Sequence, residues 1–102
     1  RTVLLRAVGP TLEDFSVAGA LADPVAQLYS GNTVIATNDD WGTAGNAALV
    51  ASVAATSGAF ALPSDSADAA LLIDLAPGAY TLQVSGSADT TGTALVEIYL
   101  ID

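Results

Sequence analysis

Short apolar runs, each cut off by turn residues, constrain this chain most. "TVLLRAV" (residues 2–8) is rich in β-formers and stops at Gly9-Pro10. "VAQLYSGNTVIATN" holds two alternating runs around Ser30-Gly31-Asn32, where Gly and Asn offer the positive φ of a tight hairpin. "ALLIDL", "AYTLQVSG" and "TALVEIYLI" read as three further strands, separated by "APG" and the polar "SADTTG". In "AYTLQVSG", Tyr80, Leu82 and Val84 share one face. "TLEDFSVAGALADP" has mixed periodicity, which predicts a loop with at most one short helical turn. Only "AGNAALVASVAA" (residues 44–55) has helix propensity, weakened at its start by Gly45. The pattern predicts an all-β fold: an antiparallel β-sandwich, jelly-roll or Ig-like, with one short helix near residues 44–55.

At 102 residues the chain is read as a single domain spanning 1–102. Hydrophobic residues make up 52% of it and the mean hydropathy is +0.54. A domain of this size buries only about two thirds of its unfolded surface, so part of that content must lie outside. Two readings stand. Alanine, at 21 residues, is small and tolerated anywhere, which suits a monomer. Alternatively, the surface is built to be covered by a neighbour.

Charge excludes several partners. Eleven carboxylates against Arg1 and Arg6 give a net charge of −9. A phosphate backbone is repelled, so nucleic-acid binding is not expected, and an anionic lipid surface is disfavoured for the same reason. No apolar run reaches the roughly 18 residues of a membrane span, so membrane insertion is not expected. The chain lacks an initiator Met and a leader, which predicts a mature chain or an excised piece.

Catalysis is disfavoured by the same inventory. Without His, Lys or Cys there is no imidazole base, Schiff-base amine or thiolate nucleophile. Paired carboxylates serve glycosidases, but Asp39 and Asp40 are adjacent and in a strand point to opposite faces. No nucleophile elbow, phosphate loop or dinucleotide fingerprint occurs. The chain is read as a non-enzyme.

"TVIATNDDWG" (residues 33–42) is the one place where oxygen ligands gather. Asn38, Asp39 and Asp40 suit calcium chemically, with Asp14, Asp23 or Asp89 arriving from other loops. The spacing does not match a D-x-[DN]-x-[DN]-G loop, and no bidentate Glu follows. The competing reading is a turn. Asn38 and Asp39 then end the strand by bonding their own backbone, and Asp40 or Thr43 caps the helix. Trp41, the only tryptophan, closes over the end of the sandwich. The spacing favours the turn, and no cofactor is required.

Arg6 lies mid-strand between Leu5 and Ala7, where an unpaired charge is costly. In the last strand Leu95, Glu97 and Tyr99 share a face, while Val96, Ile98 and Leu100 form an apolar one. Pairing Arg6 with Glu97 satisfies both, and Arg suits a carboxylate partner. The alternative is that each points to solvent.

The residues also resemble a known module. "LLRAVGPTL", "VAGALADPVAQLY", "IATNDDW", "GAFALP", "DAALLIDLAPGAYTLQVSG" and "TGTALVEIY" occur in the order of a β-sandwich module of large secreted bacterial surface proteins. Its pattern is RAVGPSL, GALADP, ASNDxW, PPGAYT and LVEVYD. "LYSGNTVIATNDD" is similar, over a smaller part of the chain, to the bacterial pre-peptidase C-terminal domain. Leu100 and Ile101 depart from the module, in which a polar residue often follows the tyrosine. The resemblance implies an extracellular or cell-surface, non-catalytic sandwich.

The expected function is therefore a structural or assembly module of a bacterial surface protein, with a self-assembling fibre subunit as its strongest form. The alternative is a calcium-dependent carbohydrate- or substrate-binding appendage. Edge strands of monomers are normally blunted by Lys, Pro or bulges, and neither terminal strand has such a device. Val3 and Leu5 in the first strand, with Val96, Ile98 and Leu100 in the last, are thus the expected assembly residues. Their expected partners are other copies or adjoining modules of the same protein.

Overall fold

A computed structural model describes residues 1–101. Its regular secondary structure is mostly strand, arranged as two antiparallel three-stranded sheets with one short helix. In chain order the elements are β1 (Thr2–Val8), β2 (Pro24–Ser30), β3 (Thr33–Asn38), α1 (Ala47–Thr56), β4 (Ala69–Asp74), β5 (Tyr80–Gly86) and β6 (Leu95–Ile101). Three 3₁₀ turns, at Pro10–Phe15, Trp41–Thr43 and Ser87–Asp89, join them. One sheet runs β4-β1-β6 and the other β3-β2-β5.

The hairpin between β2 and β3 forms where the turn residues predict it, with Gly31 at φ +60. Asn32 does not take a positive φ, so the left-handed position falls on glycine alone. A register shift between Leu28 and Tyr29 bends this edge. Gly9 is required for a different reason. A Cβ there would lie 2.1 Å from the Leu21 carbonyl oxygen, closer than any side chain permits.

β1 is the middle strand of its sheet, buried on both faces. Val3, Leu5 and Ala7 pack with Ala26 and Leu28 of β2 and with Ala69 and Leu71 of β4. Tyr80, Leu82 and Val84 join this core from β5, as their shared face predicts. On the opposite face of β1, Leu4 packs with Ala70, Trp41 and the helix residues Val50 and Ala54.

Three expectations are corrected here. Val3 and Leu5 are 7% and 4% exposed, so they belong to the core and not to an assembly edge. β1 cannot be an edge, because β4 and β6 take both its sides. Trp41 does not plug the end between the sheets. It fills the space between α1 and the outer face of β1 and β4, donating from Nε1 to Pro63 O at 2.9 Å. The helix starts at Ala47 with Asn46 as its N-cap, so neither Asp40 nor Thr43 caps it. Thr43 instead donates to Asp40 O within the preceding 3₁₀ turn. Among the described residues, no helix is long and apolar enough to cross a membrane.

Candidate functional site

Three places hold chemistry. The first lies where β3 ends. Asn38 is buried and fully engaged by backbone: its Oδ1 accepts from Ala70 N at 3.0 Å and its Nδ2 donates to Asp40 O at 3.3 Å. These bonds end β3 and tie it to β4, so Asn38 works as a strand terminator. Asp39 and Asp40 gather instead with Asp23, at the start of β2, their carboxylate oxygens within 4.8 Å of one another. Burial, and then the Asp39 carboxylate beside it, push Asp23 above its ordinary value of 3.8. Like charges this close resist joint ionisation, and a divalent cation would relieve that repulsion. The carboxylate set is Asp23, Asp39 and Asp40: of the three loop acids named beside Asn38, Asp39 and Asp40, it is Asp23 that joins them.

The second place is the ion pair. β1 and β6 pair with Arg6 directly opposite Glu97, and Nε lies 3.0 Å from Oε1 without hydrogen-bond alignment. Arg6 is 1% exposed. Its Nη1 donates to Phe60 O at 2.8 Å, and the guanidinium carbon lies 4.5 Å from the centre of the Phe60 ring. Tyr99 donates to Glu97 Oε2 at 2.7 Å. Burial, followed by this carboxylate, raises the Tyr99 phenol above its ordinary value. Beside Arg6 lies a cavity of about 80 Å³, walled by Trp41, Val50, Ala54, Ala59 and Leu62 among others.

The third place is the β6 edge. Register sets Leu100, Ile98 and Val96 opposite Val3, Leu5 and Ala7, so they lie on the same face as the core. Yet they are 60%, 62% and 47% exposed. The main contacts between the sheets lie elsewhere: β2 packs on β1 and β4, and β3 packs on β4. The apolar row runs past the end of the covered interior. Of the five residues expected at an assembly edge, Val96, Ile98 and Leu100 are exposed and Val3 and Leu5 are not.

One hub was missed from sequence. Asp68 is wholly buried, and its Oδ1 accepts from Gly9 N at 2.8 Å and Thr11 N at 3.3 Å. Its Oδ2 accepts from the Thr11 hydroxyl and from Ser66 Oγ at 2.7 Å. The carboxylate thus holds the turn after β1 against the segment entering β4. Its partners are far away in sequence, and the only local hint is the Ser66-x-Asp68 pair. No protein-family model, curated protein or solved structure matches the chain.

Proposed function

We propose that this chain is a non-catalytic, extracellular structural module: a β-sandwich of a bacterial surface protein that works by assembling with other copies or adjoining modules. The observation that carries the reading is the row Val96, Ile98 and Leu100, exposed on the core side of an edge strand. Rows of this kind are usually covered in the working state of a protein. The inventory supports the absence of catalysis, since the chain has no His, Lys or Cys. Its similarity to the secreted surface module supports the location. A fibre is the strongest form of the proposal, because contacts that do not close propagate.

A second reading has its own observation. Asp23, Asp39 and Asp40 offer three carboxylates to a cation, which suits a calcium-dependent carbohydrate- or substrate-binding appendage. One experiment separates the two: sedimentation and electron microscopy of the purified chain over a range of concentrations, with calcium and with a chelator. The assembly reading expects larger species or fibres in both conditions. A monomer at high concentration, with no fibres, overturns self-assembly.

A further inference from the structure

Among the described residues β6 pairs only with β1, so its other edge carries free backbone donors and acceptors. Of the other edge strands, β3 and β4 are blunted, and β5 exposes the polar Thr81, Gln83 and Ser85 and no apolar row. β3 carries the register shift opposite Leu28 and Tyr29, and the outward N–H of Ala70 on β4 is taken by Asn38. β6 has no proline, no lysine and no register shift. β5 and β6 together hold a single charged residue, Glu97, in a chain of net charge −9. That carboxylate sits 3.0 Å from Arg6. The edge therefore sets little unpaired charge of its own against a second, equally acidic copy.

We propose that β6 pairs antiparallel with β6 of a second copy, around a two-fold axis at Ile98. This rests on the assembly reading above and names its partner and register. Residues directly opposite in an antiparallel pair share a face and come into contact. With the axis at Ile98, that residue meets itself, Val96 meets Leu100, and Leu95 meets Ile101. Glu97 meets Tyr99, twice. Within one chain Tyr99 already donates to Glu97, so phenol and carboxylate are matched partners on that face. Neighbouring registers fit worse. An axis at Glu97 sets two carboxylates opposite each other, and an axis at Tyr99 sets Glu97 opposite Ile101. An axis between two residues sets the apolar row of one copy against the Glu97 face of the other. Such a two-fold contact closes on itself, so growth beyond a pair needs another interface.

The chain has no cysteine, so a single introduced thiol reports the register. Opposite residues in an antiparallel pair have Cα atoms about 4.5–5.5 Å apart, within disulfide reach. In a glutathione redox buffer, Ile98→Cys is expected to form a covalent dimer several-fold faster than Val34→Cys, an exposed position on β3. Val96→Cys is expected to cross-link with Leu100→Cys on mixing and to do so more slowly alone. Added NaCl is expected to speed both reactions by screening the net charge. Sedimentation of the unaltered chain runs alongside. If it self-associates but Ile98→Cys cross-links no faster than Val34→Cys, this register is overturned and the assembly reading stands. If the chain stays monomeric and neither variant cross-links, both fall.

Discussion

Arg6 and Glu97 face each other across β1 and β6, and the ionic contact between them is almost closed to water. Arg6 also bonds Phe60 O and stacks on the Phe60 ring, so it links β6 to the segment that follows α1. Removing one member of a buried pair leaves the other charge uncompensated, which costs about 3–5 kcal/mol. Glu97→Ala is expected to destabilise the fold by that order in urea unfolding. Arg6→Met with Glu97→Leu is expected to recover most of the loss, because no charge is then stranded. A double variant as unstable as Glu97→Ala would show that the loss lies in packing and not in charge.

Asp68 is expected to matter more than any exposed acid. Asp68→Ala strands the buried N–H groups of Gly9 and Thr11, at about 1–3 kcal/mol for each unpartnered donor. Asp68→Asn should be milder. Its amide oxygen can still accept both N–H groups, while the Thr11 and Ser66 hydroxyls rotate to accept from the amide nitrogen. Denaturant midpoints check the order: wild type, then Asn, then Ala.

The strands were legible because alternation and turn residues are local signals. The Arg6–Glu97 pair was legible for the same reason, as each strand shows one charge on an otherwise apolar face. The position of β1 was not, because strand order depends on partners more than sixty residues away. Its unbroken run "VLLRAV" carries apolar residues on both faces, the mark of a strand covered on both sides. Asp68 escaped notice because its partners come from distant loops and no spacing rule marks it, and nothing in the sequence singles out Asp23 from Asp14 and Asp89 as the acid that reaches Asp39 and Asp40. Trp41 was recognised as a core residue, but which sheet face it covers depends on where α1 docks.

The Asp23 cluster predicts a pH signature. Asp23 is raised in the folded chain, so folding favours its protonated form. Its contribution is fully present below the ordinary value of 3.8 and is lost as pH rises through the raised value. At pH 7 the carboxylate therefore opposes folding, and Asp23→Asn is expected to raise the melting temperature there. The gain should shrink as pH falls toward the ordinary carboxylate range. A gain that is constant with pH would mean the effect is not ionisation of Asp23. Melting curves of the two chains from pH 3 to 7 settle it.

Calcium gives the last test, through Asn38. Its two bonds to backbone make it part of the fold, so Asn38→Ala strands the buried N–H of Ala70. The cost is expected at about 1–3 kcal/mol, and it should be the same in calcium and in a chelator. A residue that ligates an ion behaves differently, since binding to the folded state alone adds stability that grows with ligand concentration. For the unaltered chain, removing calcium is expected to lower the melting temperature only slightly, because with one oxygen from each of the three carboxylates, half or more of the six to eight oxygens calcium takes must come from water or backbone. A large shift on chelation, abolished by Asp39→Asn but not by Asn38→Ala, would establish a calcium site at Asp23, Asp39 and Asp40. The balance would then turn from the assembly module to the binding appendage.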